Sequence, residues 1–399
     1  METETKIFLS KRFKDYYWKT QAPAPPDIEM REFGFGTLET KIKARHRAFK
    51  NSTELGNFLK RDAPFYISYS AAYYEFPGNQ PMSSKNWLGA DLVFDLDMPM
   101  EFLSLEKMDE VKRETLNLVE FLENDFGFSE KDVEINFSGS KGYHLRIRNE
   151  GVRGLGRDER REIVDYVSGS IEIKEYFKWG KEVTTSSGKG KHVTIIRGPI
   201  SSDSGWAGII YSGLYNFIRD SSIKELESVK GIGEKKAREI YDNKERILKE
   251  LKLGRYNYIP EIVTIDGSST KDGQGFFIRS VSSPLVDRII HEKAIKTLGA
   301  EDTDKMVTID TARIMRLPDS LHGGSGLKAS IVDNIDKFNP LVDSISFSDD
   351  EVEIELNKKV PKFDFNDNIF GPFSGRVKVP EYCAVYLLLK GCGEIMRGS

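Results

Sequence analysis

The chain has 399 residues, 39% apolar and 31% charged, enough to bury a substantial core and to hold two or three structural units. No apolar run reaches the 18 residues of a membrane helix, and the mixed-charge start METETKIFLSKRF lacks the apolar stretch of a secretory leader, so a soluble cytoplasmic protein with no membrane partner is expected. Two cysteines and five scattered histidines exclude a four-cysteine zinc site, and the net charge of −4 does not advertise a nucleic-acid binder, although it leaves room for a basic groove.

In chain order, Tyr16, Tyr17 and Trp18 followed by the Pro-rich stretch 22–26 predict a short helix and a turn-rich connection. Strand patterns dominate from Phe65 to Asp97. Residues 105–126 place Val111, Leu116, Val119 and Leu122 near helical spacing, which predicts an amphipathic helix. Val133 to Arg148 reads as strand, tight turn, strand. Asp158 to Val167 reads as a helix with Asp158 as its N-cap. Such alternation predicts a mixed α/β (α+β) catalytic core.

Between 212 and 257 the texture changes to helices rich in Lys and Glu. LESVKGIGEKKAREIY there has a helix-hairpin-helix pattern, with Gly231 and Gly233 at the turn and Lys230, Lys235 and Lys236 as candidate phosphate contacts. A hairpin that merely packs fits the same residues. Strand pattern resumes at Tyr258, with a helix near 283–298, and residues 352–356 and 382–389 read as a strand and as a strand or short buried helix. The expected division is a core in two parts, 1–211 and 258–345, a helical insertion over 212–257, and a strand-containing segment, 346–399, that completes the core.

Three constellations carry chemistry. In Asp91-Leu-Val-Phe-Asp-Leu-Asp97 the alternation of a strand puts Asp95 and Asp97 on one side while Phe94 and Leu96 enter the core. Two carboxylates held together repel unless a cation neutralises them, which marks a divalent-metal site. Residues 136–147, NFSGSKGYHLRI, read as two strands around a small-residue turn that lets backbone approach an anion, with Ser138 and Lys141 beside it and His144 on the face of Arg146. In the third, running from Asp304 to Gly326, Asp310 is expected to cap a helix through Arg313 and Arg316 that Pro318 ends, leaving Asp304 free as a third ligand. Arg316 and His322 could meet phosphate oxygens. A capped helix followed by a solvated loop fits that segment equally well.

DLVFDLD, SGSKGYH and RLPDSLHGGSG, in that order, resemble the signature motifs of the archaeo-eukaryotic primase small (catalytic) subunit, archaeal type. Residues 31–35, 42–46 and 71–74 are similar to it as well. The resemblance implies template-dependent primer synthesis from nucleoside triphosphates on single-stranded DNA, together with a large-subunit partner. It implies two-metal catalysis with Mg²⁺ or Mn²⁺ on Asp95, Asp97 and Asp304, and triphosphate contacts from Ser138, Lys141, His144 and His322, with Arg45 and Arg316. The sequence departs from the family twice. Residues 98–126 hold no Cys or His where many relatives carry a zinc knuckle, so no structural zinc is expected, and Gly324 stands where relatives often have Lys. The rival readings are a superfamily repair polymerase that extends ends and a non-catalytic DNA-binding module.

Overall fold

In the computed structural model the described residues are 2–186, 189–257, 259, 264–265, 278–280, 284–298 and 302–396. The chain forms two compact units. The first comprises Met1–Val119, Phe128–Val164 and Thr297–Ser399, and the second Glu120–Gly127 and Asp165–Lys296. The helical insertion expected over 212–257 lies within the second.

The amino-terminal part runs through α1 (Thr3–Lys19), β1 (Phe33–Gly36), β2 (Ala44–Arg47), α2 (Ser52–Asp62), β3 (Tyr66–Ser70), β4 (Ala72–Tyr74), β5 (Trp87–Ala90) and β6 (Leu92–Asp97). It continues through α3 (Leu105–Asn124), β7 (Val133–Phe137), β8 (Gly142–Ile147), α4 (Glu150–Arg153) and α5 (Arg157–Val167). Next come β9 (Lys178–Ser186), β10 (Lys189–Arg197), α6 (Gly205–Asp220), α7 (Ile223–Glu227), α8 (Glu234–Asp242), α9 (Lys244–Lys252), β11 (Thr264–Ile265), β12 (Ile278–Ser280) and α10 (Pro284–Lys293). The last part holds α11 (Asp302–Ile309), β13 (Ile314–Arg316), α12 (Pro340–Asp343), β14 (Glu351–Val360), β15 (Phe363–Phe365), β16 (Asn368–Phe370), β17 (Phe373–Pro380), α13 (Glu381–Leu389) and β18 (Gly393–Ile395). The fold is mixed α/β, as expected.

Two small antiparallel sheets of the first unit organise its chemistry, one in the order β13-β3-β1-β2 and one in the order β6-β8-β7. In β6 the residues Leu92, Phe94 and Leu96 are fully buried, so one side of the strand is core. Each such side chain contributes roughly 1.5–3 kcal/mol of burial. On the other side Val93 packs with Ala71, Val307 of α11 and Met315 of β13, which ties the late segment to the early strand.

The second unit has its own core. Ile210, Leu214 and Ile218 of α6 pack with Leu226, Val229, Ile232, Ala237 and Ile240 of the predicted hairpin and with Ile247 and Leu251 of α9. The hairpin forms as expected, with Gly231 at φ +97° and a Ser222/Glu225 capping box starting α7.

Several local expectations are corrected. The first helix is 17 residues long, not short. α5 begins at Arg157, so Asp158 sits in its first turn and is not the cap. Residues 382–389 take the helical option, and α13 is buried all round, as its unbroken apolar composition requires. No helix runs from Asp310 to Arg316. α11 ends at Ile309, a turn follows, and residues 314–316 pair with β3 as a strand. The β-branched Ile314 and unbranched Met315 gain more by joining an open sheet edge than a single helical turn would give them. Tyr258, where strand pattern was expected to resume, lies outside the described residues.

Asp91 anchors the start of β6. Its carboxylate, 2% exposed, accepts from Arg146 at 2.8 Å and from the Tyr73 hydroxyl at 2.7 Å, and pairs with Arg31 at 3.0 Å. Arg160 donates to the Asp91 and Ala90 carbonyls, each at 2.9 Å. Burial works to raise the Asp91 carboxyl, but Arg146 and Arg31 outweigh it and hold the group below the usual carboxylate range. Asp91→Ala leaves buried guanidinium groups uncompensated and is expected to cost about 3–5 kcal/mol, read as a lower urea midpoint. A depressed carboxyl stabilises fully above its unfolded pKa of about 3.9 and loses that contribution as pH falls through the folded value, so wild type and variant should converge in acid.

Candidate active site

The sheet β6-β8-β7 sets the site by register. Asp95 pairs with His144, which pairs in turn with Asn136, and Asp97 pairs with Gly142. Asp95, His144 and Asn136 therefore form a row across one face. His144 Nε2 lies 3.3 Å from Asp95 Oδ1, and Lys141 Nζ lies 3.5 Å from Asp97 Oδ2. Gly142 is required, because a Cβ there would collide with the Leu96 carbonyl and lie 2.6 Å from Asp97 Oδ1.

The two carboxyls are pushed apart electrostatically. Burial would raise Asp95, yet His144, Arg313 and Lys141 outweigh it and hold Asp95 below the ordinary carboxylate range. Burial first, and then the charge of Asp95, raise Asp97 against the pull of His144 and Lys141. Asp97 Oδ1 is buried without a hydrogen-bond partner in the described structure, and Asp95 Oδ1, also buried, has the His144 ring at 3.3 Å and no well-formed hydrogen bond. A carboxylate pair so incompletely satisfied suits a hard divalent cation.

The second and third constellations meet in the fold. Gly139, at φ +76°, would place a Cβ 3.0 Å from His322 Cβ and 3.2 Å from the Leu327 carbonyl, so the two loops touch only because it is glycine. Ser325 Oγ donates to the Gly139 carbonyl. Ser138 is buried, its amide bonded to the Gly142 carbonyl at 2.8 Å and its hydroxyl unpartnered among the described residues.

His322 Nδ1 accepts from the Gly324 amide at 3.1 Å, which puts the ring proton on Nε2. Burial, reinforced by Arg316, Lys41, Lys390 and His144, holds this imidazole well below the ordinary histidine range, so the ring is neutral at pH 7. Arg316, on β13, lies over the Tyr66 ring at 5.4 Å, and its Nη1 is buried without a hydrogen-bond partner. Burial lowers it, opposed by Tyr66, Tyr17, Asp95 and Asp97. A neutral donor and a desolvated cation thus face the same region as the carboxylate pair.

Other candidates are placed differently. Arg45 donates to Glu32 at 2.7 Å and to the Ala312 carbonyl at 3.0 Å, so it braces the turn after α11. Lys328 lies 3.8 Å from Asp319. Lys230, Lys235 and Lys236 are exposed around the hairpin of the second unit. The side chain of Asp304, on α11, lies outside the described residues. Asp310 has no helix to cap. Its Oδ1 accepts from the Ala312 amide at 3.0 Å, and Arg313 beyond it is within electrostatic reach of Asp95. Among the described residues no group of three His, Cys, Asp or Glu side chains is disposed to hold a metal ion.

Asn136, Arg313 and Tyr66 are site residues that sequence reasoning gave no role. Asn136 opens the second motif and could have been found by counting the strand register back from His144. Tyr66 carries no motif signal.

A carboxylate pair on a sheet face, with glycine loops, a neutral imidazole and a buried arginine nearby, brings acidic groups and anion-compatible donors into one region. A family model described as DNA primase small subunit matches residues 94–333. The chain is 34% identical to the DNA primase small subunit of Methanothrix thermoacetophila, covering 99% of this chain and 100% of that one. It is 33% identical to those of Methanocella arvoryzae and Halobacterium salinarum, covering 99% of each partner in both comparisons. The chain belongs to the DNA primase small subunit family and is, as a member, an enzyme of the nucleotidyltransferase class. No described helix is long and apolar enough to cross a membrane.

Because Asp97 is held against both burial and a like charge, its neutral isostere should not weaken the fold. Asp97→Asn is expected to melt at or above the wild-type temperature in the absence of divalent ions, since the exposed Lys141 returns little for the lost pair. A clear drop in Tm would show that the pair is not repulsive.

Proposed function

We propose that the chain synthesises short primers from nucleoside triphosphates on a single-stranded DNA template by two-metal nucleotidyl transfer, working with a separate large subunit. The observation that carries this reading is the buried Asp95/Asp97 pair, in which Asp97 Oδ1 lacks a partner in the described structure and Asp95 Oδ1 has His144 at 3.3 Å, beside the Ser138–Gly142 turn. Bound Mg²⁺ or Mn²⁺ would supply activation of the primer 3′-hydroxyl and neutralisation of the leaving pyrophosphate.

The protein's own groups divide the remaining work. Asp95 and Asp97 hold the ions. His144, opposite Asp95, keeps that carboxylate ionised and turned toward the site. Ser138 Oγ, the His322 Nε2 proton and Arg316 Nη1 bind the triphosphate, and Lys141 adds positive charge beside Asp97.

The third carboxylate comes from the segment around α11. Asp304 has the resemblance behind it. Asp310 is the alternative, because no helix occupies it as a cap and because it follows α11, whose Val307 packs on Val93 of the carboxylate strand, although as it stands it does not close a three-carboxylate group with Asp95 and Asp97.

Incubation with nucleotides on an unprimed single-stranded template should yield short products. Asp95→Asn should abolish them while leaving the chain folded. Loss in Asp310→Asn with Asp304→Asn mild would assign the third ligand to Asp310, and full activity in Asp310→Asn with none in Asp304→Asn would assign it to Asp304. Extension of supplied primers without any unprimed start would place the chain among end-extending polymerases.

The hairpin of α7 and α8 is proposed as an accessory contact to template phosphates, through backbone amides and Lys230, Lys235 and Lys236. Its support is a tight turn at Gly231 presenting exposed lysines above a fully packed underside. Replacing the three lysines by Glu should weaken template binding. It should also flatten the dependence of log K on log salt by about 2 on single strands. Superimposable salt curves would leave the hairpin as packing alone.

A further inference from the structure

Tyr66 stands at the head of β3, 8% exposed, between two groups assigned to the triphosphate. Its ring meets the His322 ring edge-on, with centroids 5.6 Å apart at 83°, and carries the Arg316 guanidinium at 5.4 Å. The loop after His322 lies flat on it. A Cβ at Gly323 would come within 2.6 Å of Tyr66 Cε2 and 2.8 Å of the Phe65 carbonyl, so no side chain fits there. One residue on, the space is tight but a side chain fits if the His322 ring gives by a few tenths of an ångström. A Cβ at Gly324 would be 3.1 Å from His322 Cε1 and 3.5 Å from the Tyr66 hydroxyl, with no positive φ to forbid it.

The hydroxyl therefore emerges beside the imidazole whose Nε2 proton is free to donate. Among the described residues it has no hydrogen-bond partner, a state shared by the buried hydroxyls of Tyr74 and Tyr143 but not by those of Tyr16, Tyr17 and Tyr73. What distinguishes Tyr66 is its place beside His322 and Arg316. Burial raises the phenol, opposed by Arg316, so it stays protonated and a donor at neutral pH. Lys328 cannot easily serve the same place, because it is drawn to Asp319.

We propose that Tyr66 is a nucleotide-binding residue: its hydroxyl donates to a phosphate oxygen of the incoming nucleoside triphosphate, between His322 and Arg316, while its ring holds both in place. The assignment rests on the triphosphate reading given above. It adds to Ser138, His322 and Arg316 a further donor on a separate element, β3, and it makes the ring and the hydroxyl separable parts of one residue.

Tyr66→Phe keeps the ring and removes the donor. It should raise the nucleotide KM roughly tenfold or more, the usual consequence of losing a hydrogen bond to a charged group, with template Kd and Tm close to wild type. Tyr66→Leu removes the ring as well and should lower kcat in addition. Gly324→Lys places a cation next to the hydroxyl, and in the Tyr66→Phe background it should bring the nucleotide KM back toward wild type. An unchanged nucleotide KM in Tyr66→Phe, or a rise confined to template Kd, overturns the assignment. His322→Ala run alongside separates the levels of failure. A raised KM there with none in Tyr66→Phe sinks the tyrosine alone, whereas no change in either sinks the triphosphate reading and the tyrosine with it.

Discussion

Two carboxylates on the same face of one strand repel each other, and the first unit is built around holding them there. β6 has no freedom to relieve the repulsion, because Leu92, Phe94 and Leu96 are locked into the core and Asp91 is clamped by Arg146, Arg31 and Tyr73. The clamp and the pair are linked through β8, which presents Arg146 to Asp91 and, two residues earlier, His144 to Asp95. One strand therefore delivers both the group that fixes the frame and the group that keeps one carboxylate charged. The residual strain falls on Asp97, whose carboxyl is raised, and that is the group a cation would relieve most.

The other half of the site works in the opposite sense. Arg316, Lys41 and Lys390 create a positive field strong enough, with burial, to keep His322 neutral. A protonated histidine would add attraction for phosphate but would have to be desolvated beside other cations. A neutral ring fixed by the Gly324 amide offers a directed donor without that cost. On the proposed triphosphate reading, charge for the anion would come from arginine and lysine, and direction from the imidazole.

Much of this was legible in sequence because it depends on period-two alternation and on glycine. The pattern in residues 91–97 placed the carboxylates and the core on opposite faces, and the small residues of 138–142 marked a turn of close backbone approach, although the sequence does not show that the 323–326 loop is what approaches it. The failures have physical causes. Residues 310–316 read as a capped helix, but a segment this short has no secondary structure of its own, and an open edge of β3 decided it. Asp158 fits a cap by residue type alone, and the helix began one residue before it. Arg45 carries the right charge in the right motif and still turns to Glu32 and Ala312, a choice set by tertiary neighbours. Tyr66 was invisible because an aromatic residue in a strand pattern is ordinarily core.

The split of the first unit along the chain also fixes an order of events during synthesis. β3 ends at Ser70, but its partner β13 begins at Ile314. At ribosomal speeds of about 5–20 residues per second, the gap lasts on the order of 10–50 s. For the later part of that time, from Gly142 onward, the nascent chain has made Asp95, Asp97 and the Ser138–Gly142 turn, while Arg316 and the His322 loop do not yet exist. The edge of β3 stays unpaired, open to pairing with another chain, until the late strand closes it. The emerging polypeptide thus carries the carboxylate pair and the Ser138–Gly142 turn well before the Arg316 and His322 side of the site, and β13 both seals a sticky edge and delivers the arginine at its end.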